Sequence, residues 1–216
     1  MIGFWEFKLT GAPPLPSLFV RPREGIGVAK RWFGDRSRFA VALGEFSGDN
    51  DSYCEVDVWA ADCWLTCDDN HAYIPHFAGM LERSVRYLLR EPPEYRRTQR
   101  PYPELSPADN HRRLCTDAKT DNSEYLDYRF MDWGPTADNV RMHLFREGDT
   151  AFLPFSFWRA GHHKPAELGQ VFVAELPWRE LAAVLHDAAW GLMWVWVSRV
   201  WSLKNAEPAA APDPAT

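Results

Sequence analysis

No glycine-rich phosphate loop of the G-x-x-x-x-G-K-[ST] type occurs in the sequence, nor any G-x-G-x-x-G fingerprint or G-x-S-x-G elbow. The signatures of P-loop nucleotide hydrolysis, dinucleotide binding and α/β-hydrolase chemistry are therefore missing. Cysteine is sparse, with 4 residues in 216, and a chain of this length can bury a core without disulfide staples. Basic residues are outnumbered, 24 against 30 acids, for a net charge of -6. That balance argues against a phosphate-binding surface spread over the protein, so no nucleic-acid partner is expected. Long hydrophobic runs are absent too. The most apolar stretch, AAWGLMWVWV from Ala188 to Val197, is bounded by Asp187 and Arg199. It falls short of the roughly 20 residues that span a bilayer. The start, MIGFWEFKLTGAPPLP, has no basic opening and no long apolar stretch, unlike a secretory signal. A cytoplasmic, reduced, membrane-free setting is the expectation.

Tryptophan, by contrast, is plentiful. Eleven occur within an aromatic share of 14%. Each is a large apolar anchor with one polar handle, suited to cores and to binding surfaces. Most read as core.

Hydrophobic periodicity predicts an α+β fold, with antiparallel sheet or sheets packed against two amphipathic helices. FAVALGEF (residues 39–46) is apolar on both sides and reads as a buried strand. SGDNDS is a turn. YCEVDVW alternates, with Cys54, Val56 and Val58 on one face and Tyr53, Glu55, Asp57 and Trp59 on the other. Cys63 to Cys67 suggests a third short strand. A helix opens at Pro75 and carries Phe77, Leu81, Val85 and Leu88 at helical spacing. The proline-bearing, charged stretch 91–124 reads as a long surface connection. Leu126 to Trp133 suggests an extra strand. Strands over 140–145, 151–158 and 170–176 then lead to a last helix opened by Pro177. Pro154 places the 151–158 strand at an edge or a bulge. The order β-β-β-α thus occurs over 39–89 and again over 140–192, a possible duplication. The expected organisation is a β-rich half over 1–92 with its helix near 75–90, a connection over 93–124, a second β-rich half over 125–203, and a disordered tail over 204–216.

Chemistry is hard to find. His71 and His76 follow Cys63 and Cys67, but the spacing departs from paired structural-zinc ligands, and His111 with Cys115 is no better placed. No metal and no cofactor is expected. His162 and His163 share a loop with Lys164 and could act as acid–base groups if a carboxylate held one of them. Glu55 with Asp57 and Asp68 with Asp69 are paired acids without an evident cleft. No catalytic residue is assigned.

The charge pattern says more. Between 35 and 70 acids dominate, with Arg36 and Arg38 the bases there; the following helix and connection are rich in arginine. Each run can be a solvated face. Rings beside acids also make a docking surface, because rings supply buried area and charges steer encounter. Asp49, Asp51, Tyr53, Glu55, Asp57 and Trp59 are the candidate partner-binding residues.

The stretch WFGDRSRFAVALGEF…YCEVDVWAADCWLTC…YIPHF resembles immunity proteins of bacterial polymorphic toxin systems, through Gly34, Asp35, Arg38, Phe39 and Ala40. QVFVAELPWRELAAVL has the strand–proline–helix cadence of several such families. The resemblance covers under half of the chain. It implies a non-enzymatic inhibitor that binds a cognate protein toxin and blocks its active site or folding; a basic toxin would suit the acidic chain, and a monomer or homodimer is expected. Two other readings stand beside it. One is a small hydrolase or transferase using the His162/His163 loop. The other is an adaptor docking through the last helix, where Trp190, Trp194 and Trp201 lie close to one side.

Overall fold

The computed structural model describes residues 30–46, 52–89, 98–117 and 127–204. The N-terminal stretch before Lys30, the turn bearing Asp49 and Asp51, parts of the connection and the tail lie outside the described residues.

The first sheet is antiparallel, ordered β1 (Arg31–Asp35), β2 (Phe39–Phe46), β3 (Tyr53–Ala60) and β4 (Cys63–Trp64), with β5 (His71–Tyr73) also on β3. β2 is enclosed on both faces as its composition requires: Phe39, Ala40, Val41 and Ala42 are fully buried. β3 keeps its alternation, with Cys54, Val56, Val58 and Ala60 in the core. β1 was not legible in the glycine-rich start of the chain. Its hairpin is set by Asp35, whose carboxylate accepts from the Ser37 backbone N–H at 2.9 Å and from the Ser37 hydroxyl at 2.8 Å. Gly34 sits at φ +83°, and a Cβ there would lie 2.3 Å from the Phe39 carbonyl oxygen. Only glycine fits.

The second sheet is ordered β10 (Phe172–Pro177), β9 (Thr150–Phe157), β7 (Val140–His143) and β6 (Arg129–Phe130), with β8 (Phe145–Glu147) also on β9. β9 is an interior strand in even register, neither the edge nor the bulge that Pro154 suggested. The proline falls where β7 gives way to β8. It has no N–H to offer the ladder. There the facing strand is interrupted at Leu144, whose own N–H bonds the Tyr128 carbonyl at 3.1 Å.

The meander-then-helix order occurs twice. β1, β2, β3 and β5 lead into α1 (Ile74–Leu89), and β6, β7, β9 and β10 lead into the long C-terminal helix, which with α2 (Pro107–Asp117) between them is α3 (Trp178–Lys204). α1 buries Ile74, Phe77, Ala78, Leu81, Val85 and Leu88. It packs chiefly on α3, which also rests on β1, β2 and β10. The apolar run 188–197 is therefore part of a longer helix than the sequence suggested. Trp178–Trp201 is long and apolar enough to cross a membrane, but 44% of its window is buried in the protein.

α2 is a third helix, lying within the stretch expected to be a surface connection. Its start is capped by Ser106: the hydroxyl accepts from the Asp109 N–H at 3.1 Å and donates to the Asp109 carboxylate at 2.6 Å, with Pro107 at the first helical position. It covers the face of the second sheet turned away from α3, where Leu114 is fully buried.

Both meanders share one core. Trp133 stands at their junction, edge-on to Phe39, Phe77 and Phe130 at 5.7–6.4 Å between ring centroids. Its indole N–H donates to Ser84 of α1 at 3.0 Å. Arg38 reaches Glu180 of α3 at 2.8 Å across the same junction.

Candidate functional site: an aromatic sheet face and the histidine loop

The pleat of β3 sends Tyr53, Glu55, Asp57 and Trp59 to the side away from the core. They do not share one environment. Tyr53 is exposed and packs on Tyr73 of β5, ring centroids 5.5 Å apart. Glu55 is half-buried, with Lys30 at 3.7 Å. Asp57 is only 4% exposed. It pairs with the Lys30 ammonium and accepts from the Asn70 amide at 2.9 Å. Its charge is spent inside the protein. Burial works against the Lys30 cation, yet Asp57 and Glu55 together hold its pKa above the ordinary lysine value.

Trp59 is half-buried in a row of rings. It stacks on Trp64 of β4 at 5.8 Å with planes 7° apart, and Trp32 of β1 lies 6.4 Å away. The Arg36 guanidinium covers the Trp59 ring at 3.6 Å. Beyond Trp64, His163 stands edge-on at 6.3 Å. The face therefore runs from an acid–tyrosine end to a tryptophan–arginine end. Trp32, Trp64 and Tyr73 were not picked out in the sequence. The available signal on β1 was the step from Trp32 to the core-packed Phe33; β5 is too short to leave one.

The histidine loop lies between β9 and β10. His162 is buried and stacks on Phe157 at 4.0 Å. Its Nδ1 faces Asp68 at 3.0 Å and its Nε2 faces Glu167 at 3.2 Å. The exposed His163 donates its backbone N–H to Asp68 at 3.0 Å. Burial pushes the Asp68 pKa up, but His162 and the His163 N–H outweigh it and hold the carboxyl below its ordinary value. Glu167 is likewise lowered, because Lys164 and His162 outweigh burial. Cys67 lies 3.7 Å from His162 Nδ1. Its thiol is pushed up to about 12 by burial and by Asp68. Both His162 ring nitrogens face carboxylates, which leaves none turned toward a substrate. A cleft between α1 and the segment 127–133, lined by Met80, Tyr87, Arg129 and Trp133 among others, takes no residue from this loop.

The fold redistributes the metal candidates weighed in the sequence. His71 is on β5 and His76 on α1, and neither joins Cys67. Asp68 and Asp69 part company: Asp68 turns to His162, while Asp69 accepts from the His71 N–H at 3.1 Å. His111 does meet Cys115, at 3.5 Å, but also His143 of β7, with 2.9 Å between their Nδ1 atoms. His111 Nε2 lies 3.0 Å from the Ser156 hydroxyl. Burial first, then Arg141 and Arg112, lowers the His111 pKa to about 4.

A second surface feature lies on α3. Trp190, Trp194, Val197 and Trp201 recur at 4-3-4 spacing and are exposed, Trp190 by 63% and Trp201 by 71%.

Among the described residues these elements define an α+β protein of two antiparallel sheets and three α-helices. No family model matches the sequence, and no curated protein matches it either. Among solved structures, the chain is similar to CdiI from Burkholderia dolosa AUO158. The two are 14% identical, with a TM-score of 0.50, over 74% of this chain and 99% of that one. The likeness is one of fold, to a contact-dependent inhibition immunity protein.

Proposed function

We propose that the protein is an immunity protein that binds a cognate toxin and neutralises it without catalysis. The observation that carries the reading is the match to CdiI over 99% of that chain, reached independently of the short motif around Gly34 and Phe39. The exposed rings of the first sheet support it. Tyr53, Tyr73 and Trp32 offer apolar area on a rigid strand scaffold, with Glu55 beside them. The net charge of -6 favours rapid encounter with a basic toxin. Such a protein acts in the cytoplasm, where it meets a toxin entering the cell. Asp49 and Asp51 belong to this proposed face by sequence. Asp57 supports it from within, by holding Lys30 beside Glu55.

The test is binding to the toxin encoded beside the gene. Co-expression is expected to rescue growth and to give a complex that survives size exclusion. Glu55→Lys and Tyr73→Ala should each slow association, the first more at low salt than at high. Toxicity unrelieved by co-expression, with no complex formed, refutes the function. Unchanged association in both variants, with a complex present, removes only this face.

A second reading, docking through α3, is favoured by the tryptophan stripe. Its 4-3-4 spacing is that of a coiled-coil seam, and the occupant proposed is a second copy of this chain, whose own stripe matches it in spacing. Sedimentation showing a monomer at every concentration eliminates it.

A further inference from the structure

We infer that Cys67, Asp68, His162 and His163 form a binding site for a divalent cation, zinc by the character of its ligands, which fastens the loop after β4 to the loop after β9. Cys67 and Asp68 come from the first sheet and His162 and His163 from the second, some 95 residues later. Each offers one ligand atom, and all four lie within 4.8 Å of one another.

The separations suit a tetrahedron. Zinc bonds of about 2.0–2.3 Å place neighbouring ligand atoms roughly 3.3–3.7 Å apart. His162 Nδ1 is 3.7 Å from Cys67 Sγ and 3.0 Å from Asp68 Oδ2, and His163 Nδ1 is 3.6 Å from Asp68 Oδ1. These separations involve both carboxylate oxygens of Asp68, and the four ligand atoms spread to within 4.8 Å, so a cation between them draws the ligands in by up to about an ångström. Thiolate, carboxylate and two imidazoles are all zinc ligands, and the two anions neutralise a divalent ion. Four protein ligands close the coordination sphere, as in a structural site.

The surroundings fit as well. A metal-bound histidine characteristically gives its other ring N–H to a carboxylate, which fixes the ring. His162 Nε2 lies 3.2 Å from Glu167, itself held by Lys164 at 3.1 Å. The Asn139 amide donates to Asp68 and lies 3.1 Å from His162 Nδ1, so it turns from that nitrogen when an ion binds, while its Oδ1 accepts from the Arg159 N–H at 2.9 Å. Phe157 backs the His162 ring. His163 is exposed and gives an ion its way in.

Zinc and cobalt titrations of the chelator-treated full-length chain test the site. One equivalent of zinc is expected to bind and to raise the melting temperature. Cobalt should give tetrahedral d–d bands and a thiolate charge-transfer band. Cys67→Ser should abolish the charge-transfer band, while Cys115→Ser leaves it intact. His163→Ala alters an exposed ring and serves as the variant that keeps the fold; it should weaken zinc binding at least tenfold, and Glu167→Gln by 10–100-fold. Failure of the wild-type chain to bind zinc against a competing chromophoric chelator overturns the inference. So does a thiolate band that persists in Cys67→Ser or vanishes in Cys115→Ser, which places the metal elsewhere.

Discussion

Mild acid should weaken this protein before its carboxylates titrate, and the His111–His143 pair is the reason. His111 is buried between α2, which carries it, and the second sheet, with Arg141 of β7 and its helix neighbour Arg112 also opposing its charge. Its folded pKa of about 4 lies below the unfolded value of 6.5. A group depressed in this way contributes stability that is whole above pH 6.5 and is lost as pH falls toward 4, because the unfolded chain takes up the proton first. Between pH 7 and 4.5 the loss from His111 alone is on the order of 2–3 kcal/mol, at ~1.36 kcal/mol per pKa unit. His143, also lowered by burial and by His111, adds to it with the same sign. Asp68 and Glu167 are lowered carboxyls, so their loss comes below about pH 4.5, outside that window. The measurement is urea unfolding by tryptophan fluorescence at half-unit steps of pH. The double variant His111→Leu/His143→Leu should show a much flatter profile from pH 6.5 to 4.5, whatever its stability at pH 7. Equal slopes in the two proteins would refute the assignment.

Two other changes test the packing. Gly34→Ala forces a Cβ into the Phe39 carbonyl at positive φ, and a loss on the order of 2–4 kcal/mol is expected in the urea midpoint. Trp133→Ala empties the junction between the meanders and should cost about 3–5 kcal/mol, read from the same titration, with Trp133→Phe costing less.

The strands with regular alternation and the two amphipathic helices could be read directly, because each pattern records which face meets the core. β3 and α1 are the clearest cases. α2 was equally open to reading, since Ser106 as N-cap, Pro107 and Asp109 mark a helix start, but the prolines around it suggested a connection. β1 left little trace because its outer residues are exposed. Chemistry was least legible. Cys67 finds His162 through the packing of one sheet against the other, and no local spacing encodes a pairing of that range. The burial of Asp57 is similar: it depends on Lys30 from a preceding segment and Asn70 from a following turn.

The wedge of Trp133 among rings of both meanders bears on how such a protein could have arisen and how it can be cut. Either meander expressed by itself would present to water a ring-lined socket or a naked indole, so fragments of the gene should yield insoluble products where the intact gene does not. If an ancestral single unit was copied to make this chain, its socket would have needed a filler, and a second copy of the unit is the simplest one.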